Sequence, residues 1–136
     1  MARIIAIDYG LKRTGIAVTD PMQIIASALT TVESAKIFTF LEEYLKKEMV
    51  DLILIGDPHN LDDSPTSLSA DVQRIIGILK KKFPAIPVKT VDERYSSVMA
   101  SRAMVDMGLK KSRRREKGIV DQVAATMMLQ EYLSHL

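Results

Sequence analysis

The chain has 136 residues, of which 47% are hydrophobic and 26% charged, with a formal net charge of +2. This is the size and composition of one globular domain spanning 1–136, and so small a net charge leaves any nucleic-acid affinity to local clusters. The absence of cysteine excludes disulfides and thiolate zinc sites, and no apolar run approaches a membrane span or a signal peptide, so a cytoplasmic protein is expected.

The first element is the run Ile4 to Ile7, apolar without alternation, which predicts a central strand covered on both faces. Asp8 ends that run. Gly10 and Gly15 bracket a basic turn, Leu11-Lys12-Arg13-Thr14, after which Gly15 to Val18 predicts a second strand. The pattern suits a plain hairpin with an acidic strand end. It equally suits a cation or phosphate held there, since glycine lets backbone N–H groups approach an anion. Gln23 to Val32 predicts a third strand, completing an antiparallel meander. Ser34 is then expected to cap a helix running to about Lys47, with Ile37, Phe38, Leu41, Tyr44 and Leu45 at helical spacing. Asp51 to Gly56 reads as a buried parallel strand, followed by a polar, acidic loop over 57–63. Ser64-Pro65 is a strong helix start, and Leu68, Val72, Ile75, Ile76 and Leu79 give that helix its buried face. Val88 to Val91 predicts a short strand ending at Asp92-Glu93-Arg94. Ser96 or Ser97 caps a further helix that stops at Gly108. A basic segment spans Lys110 to Lys117, and a last helix runs from about Gly118 to Ser134.

A meander followed by alternating helices and strands implies an α/β fold, a mixed five-stranded sheet with helices on both faces. Right-handed crossovers put the fourth strand beside the first and the fifth beyond it. Asp8, the loop after Gly56, and Glu93 then share the carboxyl edge of the parallel strands, where open α/β sheets bind ligands. Asp121 shares a helical face with Ala125, Met128 and Tyr132, and stands near the start of the last helix, where it can project over the same edge. Acidic residues in first helical turns are common, and each carboxylate alone has an ordinary structural explanation. Three of them converging call for a cation. Oxygen ligands without Cys or His select Mg²⁺ or Mn²⁺, and two such ions can drive phosphodiester hydrolysis. His59 and His135, far apart in the chain, read as surface residues rather than a metal pair.

Four motifs carry a family resemblance. Asp8-Tyr-Gly-Leu-Lys-Arg13-Thr-Gly15-Ile-Ala-Val-Thr-Asp20 resembles the first motif of the YqgF family, within the ribonuclease H-like superfamily. Ile55-Gly56-Asp57-Pro58-His59-Asn60-Leu61-Asp62 resembles its G-x-P-x-N-x-D loop, so Gly10, Gly15, Gly56, Pro58, Asn60 and Asp62 are assigned to shaping the loops. Asp92-Glu93-Arg94-Tyr95-Ser96-Ser97 and Val120-Asp121-Gln-Val-Ala124-Ala125 resemble its last two motifs. Asp57 and Asp63 depart from the pattern, and both add negative charge to that loop. The resemblance implies a metal-dependent nuclease for 5′-end maturation of pre-16S ribosomal RNA, with Asp8, Glu93 and Asp121 as catalytic and metal-holding carboxylates. It also implies, as alternative, a Holliday-junction or branched-DNA resolvase.

Basic residues supply a substrate side: Lys12 and Arg13 beside Asp8, Arg94 after Glu93, and Lys110, Lys111, Arg113, Arg114, Arg115 and Lys117 before the last helix. Such residues bind phosphates without reading sequence. The expected partner is a nucleic acid, RNA ahead of branched DNA, with the ribosome or its precursor as context and no membrane. A monomer or a homodimer is expected. Two further readings compete. A non-catalytic nucleic-acid-binding protein would keep the fold and the basic segment. An ATP-binding domain of the actin and sugar-kinase type also opens with D-x-G and a glycine hairpin, but binds ATP between two such domains.

Overall fold

The computed structural model describes residues 2–57, 68–92 and 117–135. Its elements are β1 (Arg3–Tyr9), β2 (Arg13–Thr19), β3 (Ala26–Glu33), a 3-10 turn (Ser34–Lys36), α1 (Ile37–Lys47), β4 (Val50–Asp57), α2 (Ser69–Lys82), β5 (Val88–Asp92) and α3 (Lys117–Ser134). The strands form one sheet in the order β3-β2-β1-β4-β5. β1 pairs antiparallel with β2 and parallel with β4, so it is the centre of the sheet that its unbroken apolar run predicts.

Alternation along β1 sorts its side chains between two cores. Ile5, Ile7 and Tyr9 pack with Ile37 and Leu41 of α1 and Val72, Ile75, Ile76 and Leu79 of α2. Ile4 and Ala6 face the other way, onto Ala125, Met128 and Leu129 of α3. Ile5, Ala6 and Ile7 are fully buried, which is why no polar residue interrupts them. The helical spacings read from the sequence for α1, α2 and α3 give these buried faces.

Both edges of the sheet are blunted against pairing with another chain. β5 is five residues long, follows Pro87 and carries an exposed Lys89. In β3 the register against β2 slips by one residue, from Ile16 opposite Thr30 to Ala17 opposite Ala28, leaving Leu29 as a bulge.

Two expectations at element ends are corrected. β3 begins at Ala26, not Gln23. The Asp20 carboxylate collects the backbone N–H groups of Met22, Ile24 and Ile25, at 3.0, 2.8 and 2.7 Å. These bonds, that of Ile25 foremost, lower its pKa. Gln23 at the apex adopts a φ of +58°, so the segment is a turn and its donors never reach the ladder. Ser34 does not cap a helix with its side chain either. The chain passes through the 3-10 turn first, and the Ser34 hydroxyl donates to the Gly10 carbonyl (2.5 Å) and accepts from Thr14 (2.7 Å). With Ser34 N–H on the Lys12 carbonyl (2.9 Å), it pins the β1–β2 turn. The expected helix start at Ser64-Pro65, the helix from Ser96 or Ser97 to Gly108, and most of the basic segment lie outside the described residues.

Among the described glycines, Gly15 has the tightest surroundings. A Cβ built there would lie 2.1 Å from the backbone oxygen of Asp121 and 2.8 Å from the nitrogen of Gln122. The first turns of α3 therefore rest on bare β2 backbone, secured by Gln122 Nε2 donating to Thr31 Oγ1 at 3.0 Å. Gly15→Ala is expected to lift α3 off the sheet, costing about 2–3 kcal/mol and lowering the melting temperature by roughly 5–15 °C. Thermal denaturation followed by circular dichroism checks this; an unchanged midpoint means that α3 is not seated there.

Candidate active site

Asp8 stands at the carboxyl end of β1, directly opposite Gly15 of β2. Opposed residues of an antiparallel pair point to the same face, and alternation after Ile4 and Ala6 sends Asp8 toward α3. Because the Asp121 backbone rests on Gly15, the two acidic residues are placed at one corner of the sheet. Both are half-buried. The residues that achieve this are small: Gly15 beneath the helix, and Ala124 and Ala125, 3% and 0% exposed, one turn further along it.

Arg13 begins β2 two residues before Gly15 and so faces the same corner. Its Nε lies 3.4 Å from Asp121 Oδ2. That contact is an ion pair without hydrogen-bond alignment, since Nε is buried and makes no hydrogen bond. The sequence places Arg13 on the substrate side; the structure pairs it with a predicted catalytic carboxylate. The alternation signal was available, since Arg13 and Gly15 must share a face once residues 13–19 are a strand. Lys12 is exposed in the turn beside them.

The fourth strand contributes differently. Leu52 and Leu54 face α3, so Gly56, also buried, lies on the α3 side, whereas Ile53 and Ile55 put Asp57 on the opposite face. Asp57 thus does not add its charge to the Asp8 corner. It closes β4 in register with Asp92 of β5. Glu93 follows Asp92 in the chain and lies outside the described residues, as do Pro58, Asn60, Asp62, Arg94, Lys110, Lys111, Arg113, Arg114 and Arg115. Lys117 opens α3. His135 is exposed and bonds Glu131, as a surface residue should.

Among the described residues no three His, Cys, Asp or Glu side chains form a metal-holding group. The donor chemistry of the corner nevertheless fits a hard divalent cation: two carboxylates on rigid elements, without sulfur or imidazole. Among the described residues, no helix is long and apolar enough to cross a membrane.

Comparison with known proteins agrees with this architecture. The family described as "RuvX: Holliday junction resolvase" matches residues 2–135. A protein of Christiangramia forsetii named "Putative pre-16S rRNA nuclease" is 49% identical, the match covering 98% of each chain. Proteins of the same name from Flavobacterium psychrophilum and Bacteroides fragilis are 48% and 47% identical over 98% of this chain, covering 98% and 96% of their own. Among solved structures, T. thermophilus RuvC in complex with a Holliday junction substrate superposes with a TM-score of 0.63 at 17% identity, covering 99% of this chain and 96% of its own. That likeness concerns the fold, a ribonuclease H-like mixed sheet. With a family match along nearly its whole length and full-length relatives near half identity, the chain belongs to the RuvX/YqgF family.

Proposed function

We propose that this chain, as one domain over 1–136, is a cytoplasmic metal-dependent nuclease that hydrolyses phosphodiester bonds in 5′-end maturation of pre-16S ribosomal RNA. The observation that carries this reading is the placement of Asp8 and Asp121 against the same Gly15 at the sheet corner, beside the cations Arg13 and Lys12. The names of the full-length relatives support the substrate.

In this reading Asp8, Glu93 and Asp121 hold Mg²⁺ or Mn²⁺. Bound there, the metal supplies the charge that activates water and stabilises the departing oxygen. The remaining work falls to the chain. Gly15 fixes the helix carrying Asp121, and β1 fixes Asp8, so both carboxylates are placed before substrate arrives. Lys12, Arg94 and the basic segment Lys110 to Lys117 bind phosphates and orient the strand. A second reading, cleavage of branched DNA, is favoured by the family's description. Cleavage of a 5′-extended 16S precursor RNA, set against cleavage of a four-way DNA junction, decides between them.

Asp8→Asn, Glu93→Gln and Asp121→Asn keep shape while removing charge, and each is expected to reduce metal-dependent cleavage by orders of magnitude. In chelator, stability of the Asp8→Asn protein should hold or rise as repulsion is relieved. The ion pair with Arg13 that Asp121→Asn gives up is part-exposed and is worth about 1 kcal/mol or less. Cleavage that persists undiminished in excess EDTA would refute the metal-dependent mechanism.

Replacing Arg113, Arg114 and Arg115 together with alanine is expected to weaken RNA binding and to make the slope of log affinity against log salt shallower by about 2–3. Fluorescence anisotropy across a salt series measures this; an unaltered slope removes the segment from the RNA interface.

A further inference from the structure

Arg13 has a partner it cannot bond well. Its side chain is 39% exposed and that of Asp121 26%, yet the Nε atom itself is shielded from water. A buried donor that makes no hydrogen bond retains its desolvation cost. A guanidinium relieves that cost by presenting Nε and Nη together to two oxygens of a carboxylate or phosphate. Here the two sides of the pair are held by separate constraints. The Asp121 backbone is fixed on Gly15, with Gln122 tied to Thr31. The Arg13 backbone is fixed by its ladder position opposite Glu33. With both backbones held, any change of partner falls to the side chains, and Arg13 has the longer reach; the exposed Lys12 marks the solvent side of the same turn.

We infer that Arg13 is a positioning residue with two successive partners: it neutralises Asp121 in the free protein and transfers to a backbone phosphate of the nucleic acid when the Asp121 charge is engaged elsewhere. This rests on the nuclease reading and adds a coupling to it. The attraction of the Asp121 charge competes with phosphate for Arg13, so a cation that draws on that charge and phosphate binding by Arg13 favour each other. The linkage is reciprocal by thermodynamic necessity.

The test needs neither metal nor turnover. In EDTA, binding of a 5′-extended 16S precursor RNA fragment is measured for the unaltered protein, Asp121→Asn, Arg13→Ala and the double variant, with Arg13→Gln repeating the cycle in case Arg13→Ala fails to fold. Asp121→Asn releases Arg13 and is expected to tighten binding about three- to tenfold, whereas in either Arg13 background the same change gives less than about twofold. Equal gains in all backgrounds show two independent charges and overturn the inference while leaving the nuclease reading intact. Absence of RNA binding by every folded form overturns both.

Discussion

The approach of α3 to bare backbone at Gly15 governs how Asp121 is placed beside Asp8. Side chains normally hold a helix off the backbone of the sheet it covers. Here a glycine on the strand and two alanines on the helix let the first turns descend until backbone meets backbone. That contact stabilises little by itself, since it buries almost no apolar side chain. Its cost of replacement is large, because the neighbour is peptide and cannot rotate away. The same glycine stands opposite Asp8, so one residue without a side chain sets the distance between two strands of chemistry that are more than a hundred residues apart in the chain.

Much of this was legible from residue patterns. The unbroken apolar run of β1, the helical spacing in α1 and α2, and the meander followed by crossovers all constrain where side chains must go, and hydrophobic burial enforces them. The placement of Asp8 and Asp121 at one corner followed from strand order and one helical face. Element ends were less legible because polar side chains competed for backbone groups. Ser34 has the composition of a helix cap, but Gly10 and Thr14 offered its hydroxyl better partners. Gln23 looks like strand until Asp20, three residues earlier, claims the donors that a ladder would need. The charge of Arg13 is evident in sequence and points to substrate; strand alternation places it on the face of Gly15, and the structure adds that Asp121 stands across from it. Family resemblance could name the carboxylates, but only the coordinates reveal that one of them is paired with an arginine.

The ion pair also shows how such a corner avoids its own repulsion. Carboxylates placed together on rigid elements disfavour the folded state unless a positive charge stands by. A solvent-exposed lysine would serve poorly, being strongly hydrated and free to leave. An arginine whose backbone is anchored on a strand supplies a permanent charge beside Asp121.

The turn at Asp20 bears on the order in which the molecule is built. It joins Thr19 to Ala26 through the six residues 20–25, whereas the parallel pairing of β1 with β4 must bring Arg3 to Val50. Closing the longer loop costs roughly 1.5–2 kcal/mol more in chain entropy before any contact rewards it. The three-stranded meander is therefore the natural first structure to appear as the chain leaves the ribosome, with its turns already tied by Asp20. The acidic corner requires residue 121 to reach residue 15 and is the last part to exist. A chain that stops short of α3 holds Asp8 without Asp121, so whatever chemistry the corner performs waits until α3 has docked.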